Sequence, residues 1–102
     1  MKHTDIIPGH TYEAKHPKGA YGVGEWRGMA PLIDDRTVLW INRTRTRVLW
    51  FGPKCYSQGG REQVVDMKIF LKWAARDITA IIPKGEWREW VETSKQEPEI
   101  AT

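Results

Sequence analysis

Two runs of β-branched and aromatic residues mark the middle of the chain. They occupy residues 36–41 and 46–51, and a polar tetrapeptide, residues 42–45, separates them. Residues of these types are enriched in β-strands, and two such runs with a short polar connection are typical of an antiparallel hairpin. Each run contains a Val-Leu-Trp sequence, beginning at Val38 and at Val48, so pairing places similar side chains opposite each other and fixes the register. The hairpin is the clearest element that the pattern predicts.

An amphipathic helix is predicted over residues 67–77. Apolar residues recur there at spacings of three and four, which places them on one helical face. These residues are Met67, Phe70, Leu71, Trp73 and Ala74, and Lys68, Lys72 and Arg76 lie outside that face. Asp66 stands where an N-cap residue is expected. We expect this helix to cap one side of a sheet.

Shorter patterns predict the other elements. Three stretches are expected to be strands: residues 10–15, 62–65 and 78–82. Residues 83–92 begin with proline and are predicted to form a second helix, because tryptophans and glutamates there fall on opposite helical faces. Residues 16–28 contain Pro17 and four glycines with aromatic side chains among them, which is typical of a long loop at a contact surface.

The length and the elements together indicate one small α+β domain. With 102 residues, the chain is too short for a second independent core. We expect a strongly bent antiparallel sheet or an SH3-like barrel, with one capping helix and a C-terminal helix. The domain is predicted to span residues 1–95, and residues 96–102 are expected to form a flexible tail. The apolar runs are far shorter than the roughly 18 residues needed to cross a bilayer, and the single cysteine, Cys55, agrees with a reducing, cytoplasmic location.

Several apolar positions form a pattern that resembles a known group of proteins. The pattern consists of Gly9-x-x-Tyr12, Arg36-x-Val38-x-x-Ile41, Val48-x-Trp50 and Phe70-x-x-Trp73-Ala74. It is similar to the pattern of small phage and prophage proteins with an SH3-like barrel, and it covers residues 9–74. The chain departs from that pattern by Trp50, where tyrosine is usual, by the long glycine-rich loop and by the added C-terminal segment. The resemblance implies an SH3-like scaffold and a phage-type protein, but no particular activity, because the matching proteins largely lack an assigned one.

Charge is unevenly distributed along the chain. Lys and Arg number 16 against 13 Asp and Glu, which gives a net charge of +3. Residues 36–61 contain six cations, five of them Arg, and no carboxylate, whereas residues 86–102 contain five carboxylates and two cations. Because the planar guanidinium group holds phosphate or carboxylate bidentately, this distribution indicates an anionic partner. The alternative is that these arginines keep the solvent side of the hairpin soluble and protect its edge.

Aromatic residues beside the cations complete a candidate binding surface. An exposed Trp next to Arg can anchor a protein interface, and the same pair can stack on unpaired bases. The candidate partner-binding or nucleic-acid-binding residues are Trp26, Arg27, Arg43, Arg45, Arg47, Lys54, Tyr56 and Arg61. Trp40, Trp50 and Trp73 lie among Leu, Val and Phe and are instead expected in the core. The binding surface requires the guanidinium groups of the hairpin to gather on one exposed side.

The sequence offers little for cofactor or metal chemistry. The segment Gly22-x-Gly24-x-x-x-Gly28 departs from the dinucleotide-binding fingerprint and lacks the flanking strand and helix. His3, His10 and His16 follow no established metal-ligand spacing. We therefore expect no cofactor, no metal and no catalytic residues. A small nuclease that uses His10 or His16 as acid or base is kept as a third hypothesis.

The residues and the resemblance together favour a non-enzymatic, phage-type accessory protein in the cytoplasm of the host cell. We expect it to bind and to modulate or inhibit a host protein or nucleoprotein complex, for example a component of nucleic-acid processing or of anti-phage defence. The alternative hypothesis is a protein that binds nucleic acid directly through the Arg-rich hairpin. No membrane partner is expected.

Overall fold

Five antiparallel strands form the main sheet of the computed structural model, which describes residues 1–20, 32–82 and 86–90. In chain order, the described strands are β1 (Thr11–Ala14), β2 (Gly19–Ala20), β3 (Leu32–Ile33), β4 (Arg36–Ile41), β5 (Arg47–Phe51), β6 (Gln63–Asp66) and β7 (Ala74–Asp77). The main sheet has the order β6-β5-β4-β1-β7, and β2 and β3 pair as a separate ribbon. One α-helix, α1 (Met67–Trp73), connects β6 to β7, and short 3-10 segments precede β1 (His3–Asp5) and follow β5 (Pro53–Gln58).

The predicted hairpin is confirmed, since β4 and β5 pair in the antiparallel sense. Asn42 holds the turn between them. Its Oδ1 accepts hydrogen bonds from the backbone N–H groups of Thr46 at 2.9 Å and of Arg47 at 2.8 Å. Such bonds from an Asn side chain to nearby backbone fix a turn locally, which is why the connection could be recognised in the sequence.

A β-bulge interrupts the hairpin. The register shifts between Val38 and Trp40, so that Val38 lies opposite Trp50 while Trp40 lies opposite Leu49. The extra residue, Leu39, and its neighbour Trp40 are both exposed. The expectation that Trp40 belongs to the core is therefore wrong, because a bulge changes which side chains of a strand face the core.

The core lies between one face of the main sheet and α1. Asp66 caps this helix as predicted, because its carboxylate accepts a hydrogen bond from the backbone N–H of Lys68 at 2.8 Å. The ring of Phe70 meets that of Tyr12 edge to face, with centroids 5.8 Å apart. The buried cluster consists of Ile6, Tyr12, Val38, Val48, Trp50, Cys55, Met67, Phe70 and Ala74, and Trp73 packs against it.

The helix is shorter than the pattern predicts, because its last predicted residues form β7 instead. At Ala74 the backbone is already extended, with φ −79° and ψ 133°. β7 pairs with β1, which brings Arg76 opposite Glu13, and Nε of Arg76 donates a hydrogen bond to the Glu13 carboxylate. Pairing with a strand far away in sequence thus overrides the local helical spacing.

The other predicted strands have different outcomes. The strands predicted at residues 10–15 and 62–65 are found as β1 and β6, with bounds that differ by one residue. The strand predicted at residues 78–82 is wrong, because residues 79–81 form a turn in which the N–H of Ile81 donates to the carbonyl of Ile78 at 3.0 Å. The side chain of Ile78 is nevertheless buried, so its apolar character serves the core without a strand.

The predicted C-terminal helix is wrong for residues 86–90, which are not helical and contain one isolated bridge residue. The carbonyl of Arg88 accepts a hydrogen bond from the backbone N–H of Ile33 at 2.8 Å, and Glu89 forms an isolated β-bridge with Leu32. These bonds to β3 replace the bonds that a helix makes within itself. The remaining residues of that predicted helix lie outside the described residues.

The fold class is α+β, with a bent antiparallel sheet, as predicted. The main sheet ends at β6 on one side and at β7 on the other, and these two edge strands do not pair with each other. The sheet is therefore open, and the expected closure into an SH3-like barrel is not found in the described part of the chain. None of the helices described there is long and apolar enough to span a membrane. The tail predicted at residues 96–102 lies outside the described residues.

Candidate functional site

Arg45 is tied to the N-terminal segment. Its Nη2 donates to the carbonyl oxygens of His3 at 2.6 Å and of Ile6 at 2.7 Å, and its Nε donates to Nδ1 of His3 at 3.2 Å. Its backbone has φ 57°, which is uncommon for a residue with a side chain. Because Ile6 belongs to the core, Arg45 reaches towards the core side of the hairpin, where its guanidinium group fixes the start of the chain.

Arg36 is a cation of the core and is only 8% exposed. Its Cζ lies 4.1 Å from the ring centroid of Trp50 and 4.2 Å from that of Trp73, so the guanidinium group is stacked between two indoles. Its Nε lies 3.9 Å from Oδ1 of Asp34. Burial lowers the pKa of Arg36 and raises the pKa of Asp34. Arg36 therefore neutralises charge inside the protein and does not add to a binding surface.

The remaining predicted site residues are divided between several places. The cations Arg43, Arg47, Lys54 and Arg61 are exposed. Tyr56 is half-buried, and its ring packs edge to face on Phe51 with centroids 5.6 Å apart. Trp26 and Arg27 lie outside the described residues. The structure thus leaves Arg43 exposed in the turn and Arg47 exposed on β5, whereas Arg45 is engaged with the N-terminal segment, so the three arginines of the hairpin do not share one free surface.

The sheet face opposite α1 carries an exposed apolar patch. Trp40, Leu49 and Val64 are register partners and so lie side by side across β4, β5 and β6. The exposed fractions are 53% for Trp40 and 57% for Val64, and Leu39 at the bulge is 44% exposed. We call Leu39, Trp40, Leu49 and Val64 the open-face patch. Arg47 lies in the next row of the same face, opposite Asp66.

A cavity of about 590 Å³ opens next to this patch, and Leu39 belongs to both. Its apolar lining consists of Leu39, Phe51, Ile82 and Trp87, and its polar lining includes His10, Thr11, Thr37, Thr79 and Glu86. The ring centroids of Phe51 and Trp87 are 6.4 Å apart, with the ring planes inclined at 44°. Cavities of this size with apolar walls and a few polar groups are typical of small-molecule sites.

His10 is held in this cavity by the carboxylate of Asp77, which is itself held by Thr79. Nδ1 of His10 lies 2.6 Å from Oδ2 of Asp77, while Oδ1 accepts from the backbone N–H of Thr79 at 2.9 Å and from its hydroxyl at 2.5 Å. The hydroxyls of Thr11 and Thr37 lie 2.7 Å apart. Burial tends to raise the pKa of Asp77, but the hydrogen bonds from Thr79 and His10 outweigh it, so this pKa is lowered.

A part-buried ion pair between Arg88 and Asp35 holds the other wall of the cavity in place. Nε and Nη2 of Arg88 donate to the two carboxylate oxygens of Asp35 at 2.9 Å and 2.7 Å, and Nη2 also donates to Glu13 at 3.2 Å. The hydrogen bonds with Asp35 are the main reason why the pKa of Arg88 is raised. Because Arg88 follows Glu86 and Trp87 directly, its attachment to the sheet positions both of these cavity residues.

Of the sites that the sequence predicts, the cavity shares only His10, the candidate acid or base of the nuclease hypothesis. In the sequence, His10 is only one of three histidines, and Glu86 and Trp87 fall within the predicted C-terminal helix. The partner of His10 is 67 residues away along the chain, and the partner of Arg88 is 53 residues away. No local spacing connects groups so far apart, so a single sequence carries no signal for them.

Comparison with known proteins adds no assignment, because no protein-family model, no curated protein and no solved structure matches the chain.

Proposed function

We propose that this chain acts by binding another protein, and that the open-face patch with Arg43 and Arg47 is its docking surface. The observation that carries the proposal is the exposure of Trp40 on an open sheet face beside Leu39 and Val64. Contiguous exposed apolar side chains are uncommon on monomeric proteins and mark interaction surfaces, where Trp and Arg contribute most of the binding energy.

The chemistry of the patch specifies its partner. Leu39, Leu49 and Val64 are aliphatic, so they favour apolar side chains of a protein over the flat faces of bases. Arg43 and Arg47 stand at the hairpin end of the same region and are exposed. We therefore expect a partner with an apolar contact area bordered by carboxylates, since opposite charges at the rim orient and accelerate association.

The biological setting rests on the sequence resemblance alone. Small phage and prophage proteins of that kind act in a host cell, and the resemblance therefore supports a host protein as the partner. A non-enzymatic role, in which the chain modulates or inhibits this host protein, fits a chain whose prominent surface is the open-face patch.

Direct binding of nucleic acid is the second candidate. The exposed ring of Trp40 on an open sheet can stack on an unpaired base, and Arg43 and Arg47 can contact phosphates. The register neighbours of Trp40 across the sheet, Leu49 and Val64, are aliphatic and offer nothing to a phosphate backbone, which favours the protein partner.

The test is capture of a host protein by the purified, immobilised chain from a nuclease-treated lysate of the bacterial host. The proposal expects one defined protein to be retained by the wild type, lost with Trp40→Ala and weakened with Arg47→Glu. The matched control is Ile69→Ala, because Ile69 is 56% exposed on α1, on the other side of the sheet.

If Trp40→Ala retains the host protein as well as the wild type does, the docking surface lies elsewhere. If Ile69→Ala loses the host protein to the same extent as Trp40→Ala, the capture is unspecific adhesion. Binding of a single-stranded oligonucleotide that weakens steeply with salt and is lost with Trp40→Ala would instead support the second candidate.

A further inference from the structure

We propose that the cavity between the open-face patch and residues 86–90 binds a small planar ring that carries a cationic group of the amidine or guanidine type. The proposal goes beyond a protein-docking role, because it concerns a small molecule and a set of side chains that shares only Leu39 with the open-face patch. It rests on the shape, the aromatic walls and the charge of the cavity.

The walls suit a flat ring. Phe51 and Trp87 form one side, with ring centroids 6.4 Å apart, and Leu39 and Ile82 complete the apolar lining. Aromatic faces attract a cation placed over them, in addition to the apolar contact that they offer to a ring. A volume of about 590 Å³ accommodates a ring with substituents.

The charge of the cavity is negative. Glu86 contributes a carboxylate to the lining, and Asp77 adds another directly behind His10. Lys and Arg are absent from the lining as far as the described residues form it. The nearby Arg88 is engaged with Asp35 and Glu13. Within the described ranges, Glu86 forms no ion pair, so its carboxylate leaves a negative charge at the cavity that favours a cation and disfavours phosphate or carboxylate ligands.

The polar groups are positioned before any ligand binds. Because Nδ1 of His10 is engaged with Asp77, Nε2 of this ring is left for a ligand. Glu86 lies two residues before Arg88, which attaches this segment to the sheet. An amidine presents two N–H groups in one plane, which matches the two oxygens of a carboxylate such as Glu86. A site with fixed polar groups loses less entropy when a ligand binds.

The experiment uses three probes that share a phenyl ring: benzamidine, which is cationic, benzamide, which is neutral, and benzoate, which is anionic. Each is titrated into the ¹⁵N-labelled full chain while the backbone amide resonances are followed. We expect benzamidine to shift the resonances of Thr11, Thr37 and Thr79 in a saturable way below about 10 mM, as a ligand of this size allows. Benzamide should bind more weakly, and benzoate should leave these resonances unchanged.

Two charge-neutralising variants make the assignment specific. Glu86→Gln should weaken benzamidine binding about two- to fivefold, as expected when one exposed charged contact is lost. Glu62→Gln removes the same charge from an exposed residue that is not among the lining residues and should leave the affinity unchanged. Both variants change exposed side chains, so the fold should be retained, which the dispersion of the amide spectrum checks directly.

Three results would overturn the proposal. The first is the absence of saturable shifts at the cavity threonines with benzamidine. The second is binding of benzoate that is as tight as that of benzamidine. The third is an equal effect of Glu86→Gln and Glu62→Gln, which would show that benzamidine is attracted by the overall charge of the protein and not by the cavity.

Discussion

The carbonyl oxygen of Asp35 lies against Gly52 so closely that a Cβ atom at Gly52 would approach it to 2.2 Å. The backbone of Gly52 is extended, with φ −171°, so the requirement for glycine here is one of space and not of conformation. On its other side, Asp35 is held by Arg88. Asp35, directly before β4, is thus enclosed by Gly52 at the end of β5 and by Arg88 of the segment that lines the cavity.

Gly52→Ala should therefore destabilise the protein strongly. The new methyl group meets backbone that cannot move without disturbing the Asp35–Arg88 pair, and overpacking of this kind costs about 1 to 3 kcal/mol or more. Gly59→Ala is the control, because φ is +92° there but a Cβ atom would meet nothing within 4 Å, so only backbone strain of about 1 kcal/mol is expected. Urea denaturation measures both changes, and equal losses would show that the close approach is not a constraint.

A second prediction concerns Arg45, which the structure assigns to the fold. Arg45→Ala removes the hydrogen bonds to the carbonyls of His3 and Ile6 and should lower the free energy of unfolding by about 1 to 2 kcal/mol. It should also accelerate amide hydrogen exchange in the N-terminal segment. Arg43→Ala, at an exposed position of the same turn, should change stability by less than about 0.5 kcal/mol. If the two variants are equally stable, the N-terminal contacts do not contribute to folding.

Features that neighbouring residues determine could be predicted from the sequence, and features that depend on distant parts of the chain could not. The hairpin and the start of α1 were predictable because their determinants are local: strand-forming residues about a polar turn, and Asp66 directly before an apolar repeat. The end of α1 and the conformation of residues 86–90 were not, because they depend on pairing with β1 and β3. For the same reason, the sequence shows that Arg36 and Arg45 are cations but not that one is stacked between indoles and the other binds the start of the chain.

The lowered pKa of Asp77 predicts a dependence of stability on pH. A carboxyl group whose pKa is lower in the folded than in the unfolded state stabilises the fold above its unfolded value, here 3.8, and this contribution is lost as the pH falls through the folded value. Asp77→Asn should remove that part of the acid-induced loss of stability. Asp66→Asn is a matched control, because Asn also caps helices. Thermal unfolding from pH 2 to pH 7 measures the difference, and identical pH profiles for Asp77→Asn and the wild type would contradict this prediction.

The two tryptophans of the hairpin should respond oppositely to substitution. Trp50 lies in the core and stacks on Arg36, so Trp50→Ala should cost about 3 to 5 kcal/mol and lower the melting temperature markedly. Trp40 is 53% exposed on the open face, so Trp40→Ala should cost less than about 1 kcal/mol. If Trp40→Ala abolishes partner capture while the melting temperature stays close to that of the wild type, the loss belongs to the surface and not to the fold. A large loss of stability with Trp40→Ala would instead mean that this side chain is a structural element, and the docking surface would lose its central residue.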